Sequence, residues 1–218
     1  MTNKIISKAQ FIEKLRNGIS IMVGGFMAVG TPENLIDEIV NTEVKDLTII
    51  CNDAGLVDKG VGKLITAGKV KKLIASHIGL NPEAGKRMSE GTMDVILVPQ
   101  GTLAEQIRAG GSGLGGFLTP TGLGTTVEEG KEIVNVDGVD YILEKPLKAD
   151  MALILGHRAD EKGNTIYNKT TRNFNPLMAT ACETVIVEAK EVVKLGELDP
   201  DHIVTPHIFV DYLIGGKE

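Results

Sequence analysis

The stretch Asn17-Gly18-Ile19-Ser20-Ile21-Met22-Val23-Gly24-Gly25-Phe26-Met27-Ala28-Val29-Gly30-Thr31-Pro32-Glu33 decides how the rest of the chain is read. Ile19 to Val23 is short and apolar, as a strand buried on both faces is, and Gly24-Gly25 stops it at once. Thr31-Pro32-Glu33 supplies an N-cap, a first-position proline and a first-turn acid for a helix carrying Leu35, Ile36, Ile39 and Val40. Strand, Gly-Gly, turn, Gly30, helix is a geometry in which bare backbone can approach a ligand, and the amides of the loop and helix start can hold negative charge. A tight strand-to-helix connection with no ligand fits the glycines equally well.

Working outward, Ser7–Arg16 has helical spacing of Phe11, Ile12 and Leu15 and is ended by Asn17-Gly18. Downstream, Leu47–Cys51, Val70–Ser76 and Met93–Val98 are further apolar strands. Helices are predicted near Val61–Ala67 and over Pro82–Ser89, and Pro99 opens another through Leu103 and Ile107. Apolar strands alternating with helices predict an α/β fold, an open and mostly parallel sheet covered by helices. Ligands of such sheets bind beyond the carboxyl ends of the strands, where Gly24-Gly25-Phe26, Asn52-Asp53 and Gln100-Gly101 fall. The second half is predicted to hold a long Gly-rich loop over Gly110–Thr126 and a β-hairpin, Glu132–Val136 with Tyr141–Glu144, about Asp137-Gly138. Met151–Leu155 and Thr184–Glu188 follow as strands, with a helix at Asn175–Ala181 between them.

No linker divides the chain, so one domain over residues 1–218 is expected. A net charge of −6 without a basic block argues against nucleic acid. No apolar run is long enough for a membrane span. The start, Met1-Thr2-Asn3-Lys4, has no signal-peptide pattern, and Cys51 and Cys182 have no pairing or metal spacing. A cytoplasmic chain with reduced thiols and no metal is the expectation.

Individual polar residues leave alternatives. Asn52 offers two amide donors to a reacting carbonyl or serves as an Asx-turn leaving its strand. Gln100 is an amide facing a carboxylate or an ordinary first-turn residue. Asp53 and Glu105 are a general base or solvated acids. Gly111-x-Gly113-x-x-Gly116 has the letters of a dinucleotide loop, but an apparent helix precedes it and Phe117-Leu118-Thr119-Pro120 follows, the wrong context. His202 and His207 flank Pro206 with no acid or thiol cluster to complete a metal site.

The string from Asn17 to Pro32, with Ile50-Cys51-Asn52-Asp53, Pro99-Gln100-Gly101-Thr102-Leu103-Ala104-Glu105, Ile107-Arg108-Ala109-Gly110-Gly111, Gly122-Leu123-Gly124-Thr125 and Asn173-Phe174-Asn175-Pro176, resembles the α subunit of family I coenzyme A transferases. The likeness is strongest to the short-chain group acting on acetate, butyrate and acetoacetate, and it implies their fold, which is similar to the NagB/RpiA type. It implies CoA binding by Gly24, Gly25, Phe26, Met27, Ala28, Val29 and Gly30, with Asn52 and Gln100 in support. A CoA thioester is then a substrate, and no cofactor is permanently bound. The family's nucleophilic glutamate lies in a Ser-Glu-Asn-Gly motif of the β subunit. Here the one Ser-Glu pair, Ser89-Glu90, runs into Gly91-Thr92. The resemblance therefore implies a β-subunit partner in an α2β2 assembly. Other classes consistent with the residues are a catalytically silent assembly subunit and a nucleotide-dependent oxidoreductase.

Overall fold

The computed structural model describes residues 4–215; the leaderless reading of Met1-Thr2-Asn3 lies outside them. The elements run α1 (Lys8–Ile12), β1 (Ser20–Val23), α2 (Glu33–Val40), β2 (Leu47–Ile50), α3 (Gly62–Thr66), β3 (Val70–Ala75), α4 (Pro82–Ser89), β4 (Asp94–Leu97) and α5 (Gln100–Gly111). Then come β5 (Phe117–Thr119), β6 (Ile133–Val136), β7 (Val139–Glu144), β8 (Ala149–Asp160), β9 (Thr165–Ile166), α6 (Asn175–Met178), β10 (Cys182–Val193) and β11 (Tyr212–Gly215).

The main sheet has the order β11-β10-β8-β1-β2-β3-β4, and all these neighbours are parallel. The short β9 adds an antiparallel partner to β8. From β1 the chain winds outward through β2, β3 and β4, then returns to the other side of β1 as β8 and winds the opposite way. The boundary between β1 and β8 is thus a topological switch point, where the connections leave a crevice at the carboxyl ends of the strands.

Alternate residues of each strand feed two separate cores, as a sheet covered on both faces requires. Ile21, Val23, Ile49 and Leu73 pack under α1–α4 against Phe11, Leu35, Ile36, Ile39 and Leu64. Met22, Ile50, Ala152 and Ile154 pack on the other face against Leu103 and Ile107 of α5 and Met178 of α6. Each fully buried Leu or Ile contributes roughly 1.5–3 kcal/mol.

Several local expectations are corrected. The first helix closes after Ile12, because Lys14 and Leu15 donate back only three residues, to Phe11 and Ile12. The second helix starts one residue later than its Thr-Pro-Glu signal, with Pro32 at the cap and no side chain bonding the first turn from Thr31. That role passes to Glu188 on β10, whose carboxylate accepts from the Leu35 amide at 3.0 Å and from Asn34 Nδ2 at 2.8 Å. The predicted 110–126 loop is interrupted: α5 reaches Gly111, and Phe117–Thr119 pairs with β7. The hairpin turns at Asp137 and Gly138 with φ of 51° and 83°, the left-handed pair a two-residue connection demands. The strands at 151–155 and 184–188 are cores of two 12-residue strands paired along nearly their whole length. The helix expected over Asn175–Ala181 ends at Met178, with Asn175 rather than Pro176 at its first position.

Candidate active site

Three strand ends converge, and side chains join them. β1 runs directly into Gly24, β2 into Cys51-Asn52-Asp53, and Gln100 opens α5 just beyond β4. Gln100 Nε2 donates to Asn52 Oδ1 at 2.5 Å, and Asn52 Nδ2 donates to Asp53 Oδ2 at 2.7 Å. The same Asp53 oxygen accepts from the Met27 amide at 2.8 Å, while Oδ1 accepts from the Gly55 amide at 2.9 Å. The Ser76 hydroxyl, at the end of β3, bridges the Asn52 carbonyl at 2.7 Å and Gln100 Oε1. Asn52 and Asp53 are buried, and Gln100 is exposed at the mouth. An amide so held, with one hydrogen fixed internally, points its remaining hydrogen in a defined direction, as a preorganised donor must.

The glycine loop is a small two-residue hairpin. Phe26 and Val29 exchange both backbone bonds at 3.0 and 2.9 Å, with Met27 and Ala28 at φ 48° and 63°. Such turns ordinarily carry Asn-Gly, and a side chain in the left-handed region costs roughly 1–2 kcal/mol per residue. The glycines themselves are buried, and their bareness is explained by packing. A Cβ on Gly24 would lie 1.8 Å from Asn175 Oδ1, on Gly25 2.1 Å from Thr31 Oγ1, and on Gly30 2.7 Å from the Thr171 carbonyl. What faces outward is the apolar tip: Phe26, Met27 and Val29 are each close to half exposed.

The expectation that the loop's amides hold negative charge is narrowed. The Gly24 amide bonds the Leu153 carbonyl, Gly25 bonds Asn173 Oδ1, and Phe26, Met27 and Val29 are engaged as above. Among the described residues, Ala28 and Gly30 are the loop positions whose amides keep no protein partner.

Two sets of residues had no site role in the sequence reading. Asn173 and Asn175, next to and within α6, tie the loop down: Asn173 Nδ2 donates to the Val29 carbonyl at 2.8 Å, and Asn175 Nδ2 to Gly30 at 2.9 Å. An Asn-rich segment before a proline was their signal. The second set is a companion turn after β2, Gly55-Leu56-Val57-Asp58-Lys59-Gly60, in which Leu56 and Lys59 exchange backbone bonds at 3.2 Å. It repeats the Gly-four-residues-Gly spacing of Gly25–Gly30 and lies beside it, with Gly60 facing Ala28 and Thr31. Glu33 at the start of α2 accepts from the Gly60 amide at 2.8 Å and pairs with Lys63 at 2.6 Å, fixing the two turns together.

Other candidates fall away from this cluster. Glu105 pairs with Arg108 on an exposed helix face. Asp53 stays inside the cluster, as a buried acceptor of three hydrogen bonds rather than a solvated acid. The Cys51 thiol beneath the network is pushed well up, by burial first and the Asp53 charge second, so it stays protonated and is not a nucleophile. The Gly111 string follows α5 and leads into β5, the reverse of a dinucleotide loop's strand-to-helix context. No described helix is long and apolar enough to cross a membrane.

Acetate CoA-transferase subunit alpha of Escherichia coli (strain K12) is 55% identical over 218 residues, which span 100% of this chain and 99% of that protein. The acetoacetyl-CoA:acetate/butyrate CoA transferase alpha subunit of Clostridium acetobutylicum is 51% identical, with 98% of each chain covered. The acyl-CoA transferase YdiF of E. coli O157:H7, in a thioester complex with CoA, shares the fold with a TM-score of 0.86 at 20% identity. That likeness covers 99% of this chain but 47% of YdiF, so the chain spans about half of it. The model of coenzyme A transferases matches residues 5–216, and the chain belongs to the coenzyme A transferase family.

Proposed function

We propose that this chain, acting as one domain over residues 1–218, is the α subunit of a heteromeric enzyme that moves CoA between short-chain acyl-CoA and carboxylates such as acetate, butyrate and acetoacetate. The observation that carries this is near-complete, majority identity to two proteins named as such alpha subunits. The network at the strand ends supplies the chemistry expected of a half-site.

A glutamate of a β subunit attacks the acyl-CoA carbonyl, giving an acyl-glutamyl anhydride and CoA thiolate. The thiolate then attacks the glutamyl carbonyl, releasing the first carboxylate and leaving a glutamyl-CoA thioester. The acceptor carboxylate attacks that thioester and the two steps run in reverse. Each step passes through an oxyanion, which the remaining N–H groups of Asn52 and Gln100 are placed to stabilise. Gly24, Gly25 and Gly30 set the loop's path, while Phe26, Met27, Ala28 and Val29 give the pantetheine arm an apolar wall that excludes water from the anhydride.

The test is reconstitution. The purified chain alone is expected to show no acetyl-CoA:butyrate exchange, and the complex with its β subunit to show it, at the mass of an α2β2 assembly. Incubation of the complex with acyl-CoA should add the mass of CoA less one water to the partner and not to this chain. Exchange by the isolated chain, or a CoA adduct on it, would overturn the assignment.

A further inference from the structure

We propose that Asp53 is a positioning residue: it holds the Met27–Ala28 turn in its left-handed conformation and thereby aims the apolar tip of the loop at the substrate. The proposal rests on the transferase reading for its activity arm alone.

The observations converge on one carboxylate. Met27 and Ala28 occupy conformations that residues with a Cβ rarely adopt. Strain of this kind persists only where surrounding groups over-determine it. At the tip of the loop that group is Asp53, whose Oδ2 accepts the Met27 amide. The same oxygen takes Asn52 Nδ2, and Oδ1 takes the Gly55 amide at the root of the companion turn. Three donors therefore meet two carboxylate oxygens, and Asp53 links the tip of one turn, the base of the other and the amide relay to Gln100.

This donor-only surrounding makes a conservative change severe. Asparagine has the same shape, but either orientation of its amide turns an NH2 toward a donor. With nitrogen at the Oδ2 position it opposes Met27 N and Asn52 Nδ2; with nitrogen at Oδ1 it opposes Gly55 N. Glycine at the turn, by contrast, adopts positive φ without penalty, so a loop carrying Met27→Gly and Ala28→Gly holds its shape with less help.

The experiment uses the complex with its β subunit and four forms of this chain: parent, Asp53→Asn, Met27→Gly/Ala28→Gly, and all three changes together. Hydrogen exchange of the segment 24–30 is read without substrate, and kcat and KM with it. In Asp53→Asn the Met27 amide should exchange at least tenfold faster, and kcat/KM should fall about 10- to 100-fold, as loss of a charge-assisted bond and of positioning implies. In the double-glycine background the same change should cost less than about threefold.

An equal loss in both backgrounds would overturn the proposal, since Asp53 would then act on the fold or the substrate without the turn. Unchanged exchange in Asp53→Asn would overturn it as well. Asp53→Ser removes the donor clash yet leaves the Met27 amide without its acceptor, and is read identically where Asp53→Asn fails to assemble. If the parent complex transfers no CoA, the transferase reading fails, while the exchange measurement still decides Asp53.

Discussion

Replacing Gly24 by alanine tests whether the loop's glycines are required by packing. The added methyl would sit 1.8 Å from Asn175 Oδ1 and 2.6 Å from its Cγ, far inside contact distance. Asn175 is fully buried; its Oδ1 accepts the Leu155 amide at 2.9 Å, and its Nδ2 donates to the carbonyls of Gly30 at 2.9 Å and Thr171 at 2.7 Å. To admit the methyl, the side chain has to swing away and surrender these bonds. Each contributes about 1 kcal/mol net, and a buried group left unpaired costs roughly 1–3 kcal/mol, so the loss comes to about 3–5 kcal/mol. For a chain of this length that lowers Tm by roughly 6–20 °C. Gly85, inside α4 with open space where a methyl would go, is the control: alanine there should stabilise by about 0.5–1 kcal/mol. Thermal unfolding is followed without any CoA compound, so ligand linkage plays no part. A Gly24→Ala protein melting within about 1 °C of the parent would refute the packing account.

Gln100→Leu removes the donor to Asn52 Oδ1 while changing a side chain that is itself exposed. It should lower kcat/KM of the assembled enzyme about 10- to 100-fold, with Tm falling by about 2–12 °C because the buried Asn52 Oδ1 is left unpaired; steady-state kinetics within threefold of parent would contradict this. Glu188 is held above the ordinary carboxylate value of 4.5 by burial first, against the lowering effect of the Leu35 amide and Asn34. A raised folded pKa means protons are taken up on folding, so its contribution to stability falls as pH rises from about 4.5 through the folded value. Glu188→Gln should therefore lose that slope, whatever its amide costs against the Leu35 and Asn34 donors. Chemical denaturation across pH 4.5–7.5 measures it, and identical pH profiles would dismiss the linkage.

The parallel sheet was readable because β1, β2 and β3 are mostly apolar, broken only by Ser20, Thr48 and the Lys71-Lys72 pair, and each is closed by glycine or a polar turn. The expected helix over Pro82–Ser89 is α4, and in the structure Asn81 Oδ1 takes its Glu83 and Ala84 amides. The lengths of β8 and β10 were hidden: Gly156-His157-Arg158 and Lys190-Glu191 look like breaks, yet the strands run through them by pairing with each other. At the site, backbone arithmetic placed Asn52 and Gln100 at strand ends but gave no sign that they bond each other 48 positions apart. Asn173 and Asn175 reach the loop across 144 and 145 positions, a distance over which no periodicity or spacing carries information. Met27 and Ala28 were legible as loop residues, but their left-handed backbone was not, because neither residue type announces it.

The neighbour of β1 across the switch point has a consequence for how the protein is made. Ser20 hydrogen-bonds the Asp150 carboxylate, 130 positions later, and β8 pairs beside it. At about 5–20 residues per second, a ribosome delivers that partner on the order of 10 s after β1 has emerged. In the interval β1 to β4 can pair among themselves, with one flank of β1 open and the loop's anchors at Asn173 and Asn175 not yet synthesised. The glycine loop is therefore synthesised well before the two asparagines that tie it down. A nascent chain halted before Asn173 would carry every residue of the loop, and Asp53 at its tip, but not the two asparagines that tie its base down.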